Sequence, residues 1–331
     1  MIHRCGSPVA GCRRVGRVDF RRLGKSGLVV SVVGLGTNNL GMKLDTGASR
    51  EVVHAALDEG ITLFDTSDSY GASEDRLGEL LKGKRDDLVI ATKFGSDLSR
   101  RGRYNGEDWG ARGSRRYIRR AVESSLRRLQ TDWIDLYQLH RPDPATPIEE
   151  SLSALYDLVH EGKVRYIGSS NFTGWQAAEA EWMSRTRGYE RFVSAQNRYS
   201  LLDRSIEADL VPALEHYGIG LLPYFPLANG LLTGKYRRGQ PAPEGSRIKA
   251  WGRESMLTDA TFDVIEKLES FALERGTGLL DVAIGGLAAK PAVASVIAGA
   301  TSRDQVVQNV AAGNWRPATS DLAAIGEITS L

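Results

Sequence analysis

Four side chains suited to acid-base chemistry stand at or just beyond the ends of three apolar segments: Asp65, Tyr70, Lys93 and His140. The segments, which have the length and composition of successive β-strands, are ITLFDT (61–66), DLVIATK (87–93) and WIDLYQLH (133–140). In a repeated strand-helix fold, the carboxyl ends of parallel strands meet on one face, where such folds do their chemistry. We therefore expect these four side chains to converge on one site.

The residue types suit the transfer of a proton to a carbonyl oxygen. A free Tyr has a pKa of about 10, so Tyr70 is an efficient acid near neutral pH only where its phenolate is stabilised. The ammonium group of Lys93 would stabilise that phenolate, and Asp65 would keep the ammonium group charged and oriented. His140 would position the substrate oxygen. A second interpretation stays open, in which Asp65 and Lys93 form an ion pair in the core and the two aromatic residues only pack.

Strand-like and helix-like segments alternate along the chain after a hairpin around residues 25–27. Eight alternations favour a closed barrel over an open doubly wound sheet. We therefore predict an α/β fold, a (β/α)8 TIM barrel with an N-terminal β-hairpin and long loops at the carboxyl-end rim. Such a barrel needs about 250 residues, so we expect residues 18–331 of this 331-residue chain to form one domain. The predicted strands are 31–37, 61–66, 87–93, 133–140, 166–170, 192–197, 218–224 and 294–299, and the predicted helices are about 49–59, 73–82, 114–129, 148–161, 174–185, 206–216, 260–275 and 302–312.

Two predicted connections, 95–113 and 225–257, are far longer than a helix-strand link of about 2–6 residues. Both leave the carboxyl-end rim of the barrel, so we expect them to cover the substrate site. Tyr104, Trp109 and Trp251 lie in them. These rings form either apolar walls for a carbonyl substrate or simple anchors for the loops.

Three motifs resemble the signature regions of the aldo-keto reductase superfamily, and the resemblance runs from about Phe20 to the end of the chain. The motifs are FDTSDSYG (64–71), ATKFG (91–95) and DLYQLHRPD (135–143). Carried over residue by residue, the resemblance implies a catalytic tetrad of Asp65, Tyr70, Lys93 and His140, with Tyr70 as the general acid in reduction. Potassium-channel β subunits of this superfamily have Asn in place of this His. The His favours a working reductase over a nicotinamide-binding regulatory subunit with incidental turnover.

The same resemblance implies a nicotinamide cofactor bound without a Gly-rich dinucleotide loop. The chain contains no GxGxxG, and no Tyr is followed four residues later by Lys, the pattern of short-chain dehydrogenases. GSSNF (168–172) resembles the segment that binds the nicotinamide carboxamide. Gln196, at the end of the next predicted strand, is assigned to the same contact. Tyr224 matches the aromatic residue on which the nicotinamide ring stacks. Phe225 stands where the family commonly has Ser.

SVIAGATSRDQVVQN (295–309) resembles the last strand of the family and the helix after it. There the 2′-phosphate of NADP is held by a cation and by backbone donors at the helix start. Many relatives have Lys-Ser where this chain has Gly299 and Ala300, which leaves Arg303 as the candidate cation. The resemblance favours NADP(H), with NAD(H), and so an NAD-dependent sugar or alcohol dehydrogenase, left open. The cofactor contacts that it implies are Thr37, Asn38, Ser170, Asn171, Gln196, Tyr224, Pro226, Leu227, Gly299, Thr301, Ser302, Arg303, Gln305 and Asn309.

Composition argues against several other function classes. The net charge is +2, with no broad basic or acidic bias, so nucleic acid is not an expected partner. No apolar run is long enough for a membrane helix. GLLTGK (230–235) is one residue short of a phosphate-binding GxxxxGK and lacks the following Ser or Thr. His54, His160 and His216 stand singly on predicted helices, so no metal site is expected.

The first 17 residues differ in character from the rest of the chain. They carry four Arg, no acidic residue and both Cys residues. We interpret them as a disordered extension or an over-long start, and the Arg content leaves a mitochondrial-type targeting peptide open. The barrel itself contains no Cys, which fits a reducing cytosol. The expected ligand is a small carbonyl compound or alcohol, and the oligomeric state stays open.

Overall fold

The structure is a computed structural model that describes residues 18–96 and 109–330. The predicted extension over residues 1–17 and the predicted loop residue Tyr104 lie outside these ranges. Within them, β1 (Phe20–Arg22) and β2 (Val29–Ser31) form an antiparallel hairpin in which Arg21 pairs with Val30. The turn contains the predicted residues 25–27.

Eight parallel strands follow the hairpin: β3 (Val33–Gly36), β4 (Leu63–Asp65), β5 (Val89–Phe94), β6 (Ile134–Leu139), β7 (Val164–Ser170), β8 (Phe192–Gln196), β9 (Gly220–Leu221) and β10 (Val296–Gly299). Their order in the sheet is β10-β3-β4-β5-β6-β7-β8-β9. Bridges from Leu221 to Val293 and from Tyr224 to Ile297 join its two edges. The predicted (β/α)8 barrel with an N-terminal hairpin is confirmed.

Helices surround this barrel: α1 (Asn38–Met42), α2 (Thr46–Asp58), α3 (Ser73–Leu80), α4 (Arg115–Leu129), α5 (Ile148–His160), α6 (Gly174–Arg187), α7 (Leu210–Tyr217), α8 (Arg247–Ala250), α9 (Asp259–Glu274), α10 (Leu279–Ala288), α11 (Arg303–Gly313) and α12 (Thr319–Ile328). Polar side chains define several helix starts, since Asp45, Ser114 and Thr173 each accept a hydrogen bond from the first turn. None of these helices is long and apolar enough to span a membrane.

The hairpin plugs the amino-terminal end of the barrel. Leu23 and Val30, both fully buried, pack into a small apolar cluster with side chains that point inward from the strands, such as Leu63 and Leu136. A much larger apolar cluster lies between the strands and the helices. Buried polar residues, among them Asp65, Lys93 and Gln196, lie instead near the carboxyl ends of the strands.

Helices α1, α8 and α12 were not predicted, and two further differences from the sequence expectation have physical reasons. The predicted strand 218–224 shrinks to Gly220–Leu221, because Pro223 has no N–H to donate to a ladder. Helix α10 was not predicted, because almost every residue of LLDVAIGGLA is buried and no polar face marks a helical period.

Two glycines let α1 approach the turn that carries Tyr70. A Cβ on Gly41 would lie 1.7 Å from the carbonyl oxygen of Tyr70, and a Cβ on Gly71 would lie 2.5 Å from the carbonyl oxygen of Gly41. Gly71 also has a φ of +58°, where a side chain is strained. The position of Tyr70 therefore depends on two residues without side chains.

We expect Gly41→Ala to lower the free energy of unfolding by roughly 1–3 kcal/mol, because the new methyl group forces α1 and the Tyr70 turn apart. Urea unfolding followed by circular dichroism measures this change. Gly47→Ala is the matched control, since a Cβ there meets only Asp45 Oδ1 at 3.4 Å and Ala favours helix. A Gly41→Ala protein as stable as the wild type would contradict the close contact.

Candidate active site

A buried ion pair lies at the carboxyl ends of β4 and β5. Asp65 and Lys93 follow the inward-pointing Leu63 and Ala91 by two residues, so the alternation of a strand points them into the barrel as well. Lys93 Nζ is 2.8 Å from Asp65 Oδ1 and 2.7 Å from Oδ2, and it donates to the Thr66 carbonyl oxygen at 2.9 Å. The Lys93 side chain is 1% exposed and that of Asp65 is 4% exposed.

The charge state of Lys93 follows from these contacts. Burial lowers the pKa of Lys93, but the charge of Asp65 and the neighbouring Tyr70 outweigh burial, so the pKa is raised overall. Lys93 is therefore a cation at neutral pH.

Tyr70 and His140 complete the group of four predicted side chains. Lys93 Nζ lies 5.1 Å from the centroid of the Tyr70 ring, and Tyr70 contributes to the raised pKa of Lys93. The rings of Tyr70 and His140 meet edge to face, with centroids 6.0 Å apart. The structure thus brings all four side chains together, and their catalytic roles stay predictions.

His140 is held on both its backbone and its ring. Its N–H donates to the Phe94 carbonyl oxygen at 2.8 Å, and its own carbonyl oxygen accepts from Asn171 Nδ2 at 2.9 Å. Ring nitrogen Nδ1 lies 2.9 Å from Ser96 Oγ and 3.2 Å from Ser67 Oγ. These contacts orient the edge of the imidazole that bears Nε2 independently of any substrate.

Two glutamines support Asp65. Gln196 Nε2 donates to Asp65 Oδ1 at 2.7 Å, and Gln138 Nε2 lies 3.5 Å from the same oxygen. Gln196 was predicted as a cofactor contact, and its amide nitrogen is committed to the ion pair. Gln138 was not predicted, although it precedes His140 by two residues on one strand, which is the signal that would have identified it.

The predicted nicotinamide contacts form one hydrogen-bonded group at the ends of β7, β8 and β9. Ser170 Oγ donates to the Gln196 carbonyl oxygen at 2.8 Å, and Asn171 Nδ2 donates to Ser170 Oγ at 3.0 Å. The Tyr224 hydroxyl donates to Asn171 Oδ1 at 2.7 Å. Asn171 has a φ of +60°, a conformation that Asn tolerates better than most residues. Their contact with a nicotinamide stays a prediction.

Thr37 and Asn38 lie where β3 passes into α1. Thr37 is fully buried, and its Oγ1 donates to the Asp65 carbonyl oxygen at 2.8 Å. Ser73 Oγ in turn donates to Thr37 Oγ1 at 2.8 Å. Thr37 therefore supports the backbone of Asp65, whereas Asn38 faces Gly299, with its Oδ1 3.8 Å from a Cβ built on that glycine.

The residues predicted to hold a 2′-phosphate gather at the start of α11, where several already have partners. Ser302 Oγ caps the helix by accepting from the Gln305 N–H at 3.4 Å, and Gln305 Oε1 accepts from the Thr301 N–H at 2.8 Å. Arg303 Nη1 lies 3.1 Å from Asp58 Oδ2, and both side chains are more than half exposed. Asn309, further along this helix, is buried.

Two cations that the sequence did not single out, the exposed Lys235 and the half-buried Arg247, lie in the long connection after β9. Burial, followed by the charges of Arg247 and Lys43, lowers the pKa of Lys235. Burial also lowers the pKa of Arg247, which is near enough to Tyr70 to feel its charge. Neither cation forms an ion pair with another described residue. Lys235 lies in the segment 230–235, which does not match the phosphate-binding GxxxxGK pattern, and Arg247 belongs to no motif.

Aromatic rings of the same loop pack onto these cations. The Arg247 guanidinium lies 5.3 Å from the centroid of the Phe225 ring and 5.0 Å from that of Trp251. Phe225 has a φ of +54°, unusual for a bulky residue, and it precedes the predicted contacts Pro226 and Leu227. Backbone strain of this kind often occurs at functional segments.

Trp109 differs from Trp251 in its surroundings. The Trp109 ring meets the Tyr117 ring edge to face with centroids 5.7 Å apart, and the Arg120 guanidinium lies 5.5 Å from it. It is therefore attached to helix α4. Trp251 stays 39% exposed.

We expect Asp65→Asn to make stability rise with pH between about 7 and 10. Without the carboxylate, burial lowers the pKa of Lys93 below its value in the unfolded chain, so the unfolded chain binds more protons. The free energy of unfolding should then increase by up to about 1.4 kcal/mol per pH unit. In the wild type the pKa of Lys93 is raised, so its contribution is constant below about 10.4 and falls only above it. Urea unfolding at several pH values measures these slopes.

The double variant Asp65→Asn/Lys93→Met is the control for this experiment. It has no buried ammonium group, so its slope should match that of the wild type. Equal slopes in the single and double variants would mean that the charge state of Lys93 does not depend on Asp65.

Comparison with known proteins agrees with this site. The family model described as the aldo/keto reductase family matches residues 32–330. L-glyceraldehyde 3-phosphate reductase of Escherichia coli (strain K12) is 33% identical over 336 residues, which cover 96% of this chain and 94% of that protein. Versiconal hemiacetal acetate reductase of Aspergillus parasiticus is 34% identical over 321 residues, which cover 89% of this chain and 92% of that protein.

A third relative is described as a probable voltage-gated potassium channel subunit beta, from Oryza sativa subsp. japonica. It is 32% identical over 312 residues, which cover 89% of this chain and 91% of that protein. The resemblance read from the three motifs is thereby confirmed. The chain belongs to the aldo/keto reductase family.

Proposed function

We propose that the protein is an NADP(H)-dependent oxidoreductase that reduces an aldehyde or ketone to an alcohol, or catalyses the reverse reaction. The buried Asp65–Lys93 pair beside Tyr70 carries this proposal. An ammonium group held in its charged form next to a phenol is the arrangement that makes Tyr a usable acid near neutral pH. An ion pair that served only the core would need neither Tyr70 nor His140 at its side.

The nicotinamide cofactor, when bound, supplies or accepts the hydride. Tyr70 gives its hydroxyl proton to the carbonyl oxygen in reduction, and Lys93 stabilises the phenolate that remains. His140 orients the substrate oxygen through its ring edge. In oxidation the phenolate of Tyr70 takes the alcohol proton back.

The side chains at the rim fit such a cofactor. Two cations, Lys235 and Arg247, lie close together without a carboxylate partner in the described part of the chain, which suits an anionic group such as a pyrophosphate. The Tyr224 ring and the Asn171 amide offer a stacking face and polar groups for the nicotinamide. Arg303 at the start of α11 would hold the 2′-phosphate after releasing Asp58.

A regulatory role is the second candidate, because the rice relative is described as a channel subunit. The position of His140 favours the reductase, since its ring is held edge to face against Tyr70. The two reductases named above act on different compounds by their descriptions, so the proposed substrate class is a small carbonyl compound. Reduction of generic aldehydes with NADPH distinguishes the two candidates.

We expect Tyr70→Phe to lower carbonyl reduction by about 10²–10⁴-fold, because only the acid is removed. Cofactor affinity should stay nearly unchanged. Steady-state turnover and fluorescence titration with NADPH measure the two quantities. Tyr137→Phe is the matched control, since the buried Tyr137 hydroxyl has no hydrogen-bond partner in the described structure, and it should keep its turnover. Near-normal turnover in Tyr70→Phe would exclude Tyr70 as the acid.

Titration with NADH and NADPH tests the two phosphate sites separately. Arg303→Ala should weaken NADPH about tenfold and leave NADH unchanged, because NADH has no 2′-phosphate. Lys235→Ala should weaken both cofactors by similar factors, because both contain a pyrophosphate. Asp58→Ala, which frees Arg303, should tighten NADPH alone. Equal weakening of both cofactors by Arg303→Ala would remove Arg303 from the 2′-phosphate site.

A further inference from the structure

Ring nitrogen Nδ1 of His140 lies between two serine hydroxyls. Ser96 Oγ is 2.9 Å away, and Ser67 Oγ is 3.2 Å away. A neutral imidazole carries one ring proton, on Nδ1 or on Nε2, and the nitrogen without it accepts hydrogen bonds. Whether a hydroxyl donates to Nδ1 therefore determines what Nε2 can do.

The Ser67 hydroxyl has a charged acceptor that competes with the imidazole for its single proton. Ser67 Oγ donates to Asp68 Oδ1 at 3.2 Å and accepts from the Ser69 N–H at 3.2 Å. The Ser69 hydroxyl lies 2.9 Å from Ser67 Oγ, where it can donate to the remaining lone pair. Because a hydroxyl has a single proton, donation to Asp68 leaves Ser67 none for the imidazole.

Ser96 is in the better position to donate. It lies two residues beyond the end of β5, and its Oγ approaches Nδ1 more closely than Ser67 Oγ does. A nitrogen that accepts this hydrogen bond carries no proton of its own. The ring proton then resides on Nε2.

We propose that Ser96 is a positioning residue, which donates to Nδ1 of His140 and so holds the imidazole in the tautomer with its proton on Nε2. In that tautomer Nε2 can donate to a carbonyl oxygen. In the other tautomer Nε2 presents a lone pair, which repels a carbonyl oxygen. The proposal rests on the proposed carbonyl reduction, because that reaction is what requires a donor at Nε2.

Long-range ¹H–¹⁵N NMR spectra of protein labelled with ¹⁵N-histidine show the tautomer directly, since protonated and unprotonated ring nitrogens differ widely in chemical shift. The signals of His140 are those lost in His140→Asn. At pH 8 we expect the wild type to show an unprotonated Nδ1, and Ser96→Ala to populate the other tautomer. A proton on Nδ1 in the wild type overturns the proposal, and so does an unchanged spectrum in Ser96→Ala.

Carbonyl turnover is the second readout. Ser96→Ala should lower kcat/KM roughly tenfold, the effect of one hydrogen bond, and Ser96→Thr, which keeps the hydroxyl, should restore most of it. Ser194→Ala is the control, because the buried Ser194 hydroxyl has no partner among the described residues, and it should change neither readout. A tautomer that shifts in Ser67→Ala and not in Ser96→Ala overturns the proposal.

The two readouts separate this proposal from the proposed function. If the tautomer depends on Ser96 as expected but the wild type reduces no aldehyde or ketone, the positioning role of Ser96 stands and carbonyl reduction fails. If the wild type reduces carbonyl compounds but the tautomer does not change in Ser96→Ala, carbonyl reduction stands and the positioning role of Ser96 fails.

Discussion

The ion pair of Asp65 and Lys93 is the interaction on which the rest of the site depends. Removing two charges from water is costly, and a buried pair persists only where geometry and further hydrogen bonds compensate. Here both carboxylate oxygens contact the ammonium group. The ammonium group also donates to the Thr66 carbonyl oxygen, and the carboxylate also accepts from Gln196. Since apolar residues of similar size often stabilise a core equally well, the specific contribution of this pair is a permanent charge beside Tyr70.

The pair is also one end of a continuous chain of polar contacts across the barrel mouth. From Asp65 the contacts run through the Gln196 side chain and backbone to Ser170, then through Asn171 to Tyr224. The side chains proposed to bind the cofactor are therefore bonded to those proposed to move the proton.

Sequence reasoning succeeded where strand periodicity constrains a side chain. Asp65, Lys93 and His140 converge because parallel strands bring their carboxyl ends together, and that needs only the strand assignment. It did not identify Lys235 or Arg247, since an irregular loop has no period from which to infer a direction. Helix α10 was missed for the opposite reason, because its burial on all sides removes the polar face that marks a helix.

Partner choice was the other quantity that the sequence did not determine. Gln196 was expected to face a cofactor, and its amide nitrogen contacts Asp65 across the barrel. Arg303 was expected at a phosphate, and it pairs with Asp58 of a neighbouring helix. A pattern gives the residue type and approximate place, whereas the partner depends on distances between segments far apart in the chain.

The hairpin plug has a consequence for how the protein is made. Arg21 of the hairpin donates to the Ala288 and Val293 carbonyl oxygens, across 267 and 272 residues of chain. Strand β3 likewise pairs with β10, the last of the eight parallel strands in chain order. During synthesis β3 therefore has an unpaired edge, and Arg21 lacks both of its carbonyl acceptors, until these later segments have emerged. Exposed strand edges of this kind invite aggregation. The contacts that close the folded barrel are thus missing from the nascent chain, which can complete its barrel only after β10 has been translated.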